Sequence, residues 1–199
     1  MTKWRWAFLI GNLFLILGLF FLTRPRPVEF HRQVTTDLPV YGTVSGFTLV
    51  ERSGRAFQDK DLKGKIWVAD FIFTRCQGQC PIMSQAMSRL RPRLKDIAFV
   101  SFSVDPTFDT AEVLSRYADS YHADPENWFF LTGDPGTLNR IASSFHMNKI
   151  DEPAFHSLNF VLIDREGKIR GYYDSSAEEN LRQLERDAKI LLRQNKDIR

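Results

Sequence analysis

From Gly46 onward the apolar positions fall into two rhythms, one of period two or continuous and one of period near 3.6, and they alternate along the chain. Phe47-Thr48-Leu49-Val50 and Arg55-Ala56-Phe57, joined through Glu51-Arg52-Ser53-Gly54, read as a hairpin with glycine in the turn. Asp59 to Lys63 fits one helical turn closed by Gly64. Ile66 to Phe73 is almost wholly apolar and β-prone, which suits a central strand covered on both faces. Met83, Met87, Leu90 and Leu94 then mark one helical face, with Pro81 in the first turn. Ile97 to Val104 is a second buried strand, ended by Asp105-Pro106. Thr110 caps a helix to about Tyr121, Trp128 to Leu131 is a short strand, and Asp134 caps a helix from Pro135 to Phe145. Leu158 to Ile163 and Lys168 to Tyr173 form a hairpin across Asp164-Arg165-Glu166-Gly167, and Glu178 to about Arg193 is a last amphipathic helix.

This order predicts an α/β domain: a thioredoxin-like mixed sheet flanked by helices, with the stretch from Thr110 to Thr132 as an insertion. The domain is expected over 46–199. Residues 23–45, punctuated by Pro25, Pro27 and Pro39, read as a linker.

Ahead of the linker, Trp6 to Leu22 is a 17-residue apolar run interrupted only by Asn12. As a helix it spans roughly 25 Å, the short end of what crosses a bilayer. No Ala-x-Ala pattern follows it, so an uncleaved N-terminal transmembrane helix over 1–22 is favoured over a cleaved signal peptide. The flanking charges, Lys3 and Arg5 before and Arg24, Arg26 and Arg32 after, leave orientation ambiguous by count. Long domains cross largely regardless of charge, which favours a single-pass inner-membrane protein with its domain on the periplasmic, extracytoplasmic side.

Charge excludes one large class of function. The chain has 27 Lys and Arg against 24 Asp and Glu; without Lys3 and Arg5 the balance is 25 to 24. No basic face is implied, and nucleic-acid binding has no electrostatic support.

The chemistry concentrates at Phe73-Thr74-Arg75-Cys76-Gln77-Gly78-Gln79-Cys80-Pro81, which holds both cysteines of the chain. They lie between a predicted strand and a predicted helix. A cysteine at a helix N-terminus sits in positive potential, which favours the thiolate, the species that exchanges disulfides and binds metals. The spacing allows a disulfide and equally allows both sulfurs on one metal. A purely stabilising disulfide is a weak alternative, because so short a loop removes little chain entropy. Of the four histidines, His31 falls in the linker, and His122 and His146 follow helices in polar surroundings. His156 precedes the Leu158 strand, where a thioredoxin-like chain passes beside the cysteine pair. Two thiolates and one imidazole make a soft set suited to Cu(I), or to Cu(II) with one added ligand, whereas structural zinc wants four protein ligands. Met83 and Met87 fit the helix core stripe better than a metal shell.

At these residues the chain resembles the Sco/SenC family of copper-binding, thioredoxin-like proteins. The resemblance is carried by Asp70-Phe71-Ile72-Phe73-Thr74 leading into C-x-x-x-C-P, by Ser103-Val104-Asp105-Pro106 with Asp109-Thr110, by Trp128 to Gly133, and by His156-Ser157 before a strand. It implies copper, Cu(I) or Cu(II), held by Cys76, Cys80 and His156. It also implies delivery of copper to the binuclear copper centre of cytochrome c oxidase, or reduction of that centre's cysteines, with an oxidase subunit as client. Two positions depart from the pattern: Gln77-Gly78-Gln79 stands where many members have an aspartate, and Phe155 where many have an acid that could orient the imidazole. The alternatives are a thiol–disulfide oxidoreductase acting on extracytoplasmic proteins through a redox-active Cys76–Cys80 pair, and a peroxiredoxin-type peroxidase. C-x-x-x-C in place of C-x-x-C, and His156-Ser157 in place of a proline, weigh against the first; no peroxidase spacing supports the second.

Overall fold

The computed structural model describes residues 37–146 and 158–194. Its sheet has eight strands: β1 (Gly42–Thr43), β2 (Thr48–Glu51), β3 (Ala56–Gln58), β4 (Trp67–Ile72), β5 (Ala98–Ser103), β6 (Trp128–Thr132), β7 (Asn159–Ile163) and β8 (Lys168–Asp174). The order across the sheet is β1-β8-β7-β4-β5-β6-β2-β3. The central strands β4, β5 and β6 are parallel, and every outer pairing is antiparallel. Four helices complete the fold: α1 (Gln79–Leu90), α2 (Ala111–Ser120), α3 (Pro135–Ser144) and α4 (Glu178–Arg193).

The alternation of the central strands sorts their side chains onto two faces. Val68 and Ile72 of β4 and Phe99 of β5 pack with Met83 and Met87 of α1, Leu114 of α2, and Leu181 and Leu184 of α4. Trp67, Ala69 and Phe71 of β4 and Val100 and Phe102 of β5 pack on the other side, with Leu138, Ile141 and Phe145 around α3. All six residues of β4 and all six of β5 are buried, as continuous runs at the centre of a doubly covered sheet require.

The local signals act as chemistry demands. Gly54, at φ 83°, makes the β2–β3 turn, and Gly64, at φ 78°, follows the 3-10 turn over Asp59–Leu62. Thr110 accepts the Val113 amide and Asp134 the Thr137 amide, each at its helix N-terminus. The stretch read as an insertion contributes α2 and then β6, which pairs parallel with β5 and antiparallel with β2 and so carries the sheet out to the β2–β3 hairpin.

The stretch read as linker differs in part. Gly42–Thr43 pair with β8, and the Tyr41 and Val44 amides donate to Ile169 and Gly167. The buried Arg170 guanidinium donates to the Asp37 and Asp164 carboxylates and to the Pro39 and Leu38 carbonyls. A two-residue strand has no periodicity to read, and its anchor lies about 130 residues downstream, so local pattern gives no sign that ordered packing begins near Asp37. The 6–22 segment lies outside the described residues; among those described, no helix is long and apolar enough to cross a membrane.

Candidate metal and thiol site

β4 leaves the sheet between β5 and β7 and hands the chain directly to the cysteine turn. The turn closes on itself through the Cys76 amide, which donates to the Phe73 carbonyl at 3.2 Å. Helix α1 then starts after Gly78 without a side-chain oxygen cap. Its free amides need another acceptor, and the Cys76 sulfur supplies one: the Cys80 amide donates to Cys76 Sγ at 3.4 Å. One geometry thus caps the helix and stabilises negative charge on the sulfur.

The two sulfurs are reduced, and they are chemically unequal. Partial burial opposes ionisation of Cys76, but the backbone N–H groups of Cys80, Gly78 and Gln79 and the Cys80 thiol outweigh it and hold Cys76 below the ordinary thiol range. Cys80 is only 6% exposed and belongs to the core beneath α1. Burial pushes its thiol up to about 12, and the neighbouring Cys76 and Asp70 add to that rise. Cys76 is therefore the more exposed and more acidic of the two sulfurs, and Cys80 the buried one that holds its proton.

Asp70 is a site feature that sequence reasoning missed. It occupies the β4 position between Val68 and Ile72 on the α1 side of the sheet and is completely buried. Opposite it in the β5 register stands Ser101, whose hydroxyl receives the Trp128 indole N–H at 3.0 Å. Neither Asp70 carboxyl oxygen has a hydrogen-bond partner among the described residues. Burial pushes the carboxyl up to about 7, against a smaller opposing pull from Ser101. The signal was present: one acid inside an otherwise apolar strand run. On the same side of the sheet, the Tyr117 hydroxyl pairs with buried Ser84 of α1 at 2.9 Å.

The turn is also tied to the loop after β5. Asp109 accepts from the Thr74 hydroxyl at 2.5 Å, from the Thr74 amide at 3.3 Å and from the Ser103 hydroxyl at 2.6 Å. Arg75 is ion-paired with Asp105 and lies over the Phe108 ring, 4.3 Å from its centroid. Two large apolar side chains remain exposed near the cysteines, Phe108 at 42% and Ile82 of α1 at 54%.

The other predicted site residues sort clearly. Met83 and Met87 are buried in the core, as their stripe implies. His122 and His146 are exposed, and His146 meets the Tyr41 carbonyl at 3.0 Å. His156 lies outside the described residues, and among those described no three His, Cys, Asp or Glu side chains gather as a metal site.

A mixed α/β sheet whose central parallel strand delivers a reduced two-cysteine turn to a helix N-terminus defines a thioredoxin-like thiol protein. The chain belongs to the SCO1/SenC family, whose model matches residues 37–191. The SCO1 protein homolog of Bacillus subtilis (strain 168) is 32% identical over 146 residues, 68% of this chain and 76% of its own length. The solved structure of BsSco, a member of the Sco family of cytochrome c oxidase assembly proteins in which a disulfide switch was identified, is 31% identical with a TM-score of 0.68, covering 77% of this chain and 94% of that one. The copper-bound structure of ScoI from Bradyrhizobium japonicum is 25% identical with a TM-score of 0.60, covering 72% and 98%.

Proposed function

We propose that this protein binds copper through Cys76, Cys80 and His156 and serves the assembly of cytochrome c oxidase, with copper as cargo for an oxidase subunit. The observation that carries the reading is the reduced pair at the start of α1, one sulfur already accepting a helix amide. Two thiolates suit copper by softness, and the family to which the chain belongs includes copper-bound and oxidase-assembly proteins. His156 is supported by topology. Ala69 pairs with Val161 and Trp67 with Ile163 in antiparallel register, so β7 starts at the end of the sheet where β4 passes into the cysteine turn. His156 precedes β7 by three residues in sequence.

Closing Cys76 and Cys80 into a disulfide removes both thiolates, so the pair gates its own copper binding by redox state. Cys76, the more acidic and more exposed sulfur, is the atom through which cargo or electrons reach a client. We place the domain outside the cytoplasm, held to the membrane by the 6–22 segment. Turnover on extracytoplasmic disulfides as an enzyme is not favoured, since the relatives are copper-binding and assembly proteins.

The test is reconstitution of reduced, full-length protein in detergent with Cu(I) and with Cu(II). The expected result is one copper per chain, a thiolate-to-copper absorption band with Cu(II), and a sharp fall in affinity in Cys76→Ala, Cys80→Ala and His156→Ala. A His156→Ala protein that binds copper like wild type removes the imidazole from the ligand set.

A further inference from the structure

The family's chemistry uses the two sulfurs, yet the most heavily hydrogen-bonded side chain near them is a carboxylate outside the proposed ligand set. Asp109 has no solvent exposure and lies immediately before the Thr110 cap of α2. It meets three donors from two other elements: the Thr74 hydroxyl, the Thr74 amide and the Ser103 hydroxyl. Ser103 ends β5, and its oxygen in turn accepts the Asp105 amide at 3.1 Å. The Asp109 amide donates to the Asp105 carbonyl at 2.8 Å, which closes the loop on itself. Asp105 then pairs with Arg75, the residue between Thr74 and Cys76. The N-terminal side of the cysteine turn is therefore stapled to the loop after β5, while Gln77, Gly78 and Gln79 on its other side are exposed.

A buried carboxylate is costly unless donors satisfy it, and here burial lifts the Asp109 carboxyl even against the Thr74 and Ser103 bonds. A charge held at that cost at the junction of β5, α2 and the cysteine turn is consistent with a task beyond local packing.

We propose that Asp109 is a positioning residue: through Thr74 it fixes the backbone leading into Cys76, so that the Cys76 sulfur stays against the N-terminal amides of α1 and keeps its reactivity. With the near side of the turn immobile, the change between open dithiol and disulfide is confined to Gln77-Gly78-Gln79. The inference rests on the proposed reading in taking Cys76, the part-exposed sulfur that accepts the Cys80 amide, as the reacting atom. It is tested without copper, so failure of the copper reading and failure of this one are separable.

The experiment uses reduced, metal-stripped full-length protein in detergent. It measures the rate of Cys76 alkylation by iodoacetamide at pH 7, assigned by fragment mass spectrometry, and the midpoint potential of the Cys76–Cys80 couple against a thiol–disulfide buffer. Thr74→Val removes the hydroxyl donor while keeping the side-chain shape, Thr74→Ser restores it, and Asp109→Ala removes the hub. Thr74→Val and Asp109→Ala are expected to slow alkylation roughly fivefold, the scale of one ordinary lost hydrogen bond, and to shift the couple toward the disulfide. Thr74→Ser is expected to match wild type. Should Asp109→Ala fail to fold, the two Thr74 variants decide alone. Wild-type alkylation rates, or a wild-type potential, in the folded variants overturn the proposal, as does Thr74→Ser behaving like Thr74→Val.

Discussion

The two faces of the sheet are built to different rules. On the α3 side, the inward positions of β4 and β5 are Trp67, Ala69, Phe71, Ala98, Val100 and Phe102, all apolar. Their rings interlock with one another and with α3: Phe71 stacks on Phe102 at 5.2 Å and meets Phe145 edge-on at 5.4 Å. On the α1 side the same two strands present Asp70, Ser101 and Ser103 among Val68, Ile72 and Phe99. Each polar residue of β4 and β5 is on the face that carries the cysteines. One face is closed entirely by apolar side chains with interlocking rings. The other accepts buried polar groups, one without a partner among the described residues, in the place where reactive sulfurs need a tuned environment.

The sharpest way to break this comparison is to damage the apolar face. Phe102 has no solvent exposure, and its ring contacts those of Phe47, Phe71 and Phe145 at 5.2 to 6.0 Å. Phe102→Ala is expected to cost about 3–5 kcal/mol, because the cavity lies inside a set of rings that cannot collapse together. Chemical denaturation of the reduced protein measures it. A loss under about 1.5 kcal/mol, within the range of a tolerated hydrophobic swap, means that the rings of this face do not interlock.

Asp70 tests the other face. Its folded-state value of about 7 lies above the ordinary 3.8, so the folded protein holds a proton that the unfolded chain has already released. Stability from this group is fully present below pH 4 and is lost as pH rises toward and through 7, by at most about 4 kcal/mol for a shift of three units. Asp70→Asn cannot ionise. It is expected to match wild type near pH 4.5, to exceed it at pH 8, and to flatten the dependence between. Melting temperatures across that range check it, and an unchanged slope in Asp70→Asn shows that the carboxyl is not the titrating group.

What the sequence showed and what it hid follow the same division. The order of strands and helices was legible because period and caps are local: Thr110, Asp134 and Pro135 start helices in the structure where their chemistry says they should. The cysteine turn was legible because two sulfurs between a strand and a helix are rare chemistry in one place. Asp70 was readable only as an anomaly, an acid in an apolar run, since its burial depends on α1 folding over it. The Asp109–Thr74 link joins residues 35 apart and carries no pattern at all. Nor does the hold of Arg170 on Asp37, which is why the domain begins earlier than composition suggests. Non-local hydrogen bonds have no periodicity, and a single chain gives no other trace of them.

The smallest effect distinguishes the faces through their helix caps. Asp134 caps α3 with a 2.7 Å bond to the Thr137 amide, and Thr110 caps α2 with a 3.3 Å bond to the Val113 amide. Both are exposed helix starts, but Asp134 adds a negative charge at the positive end of the dipole, so Asp134→Ala is expected to cost about 1–1.5 kcal/mol and Thr110→Ala about 0.5–1. Denaturant midpoints at pH 7 measure both. The order matters more than the size. Thr110 follows Asp109 directly, so fraying α2 also loosens the buried carboxylate and, through it, the cysteine turn. If Thr110→Ala costs more than Asp134→Ala, the excess is the stability of the Asp109 hub, and the polar face is held together by its hydrogen bonds as firmly as the aromatic face is by its rings.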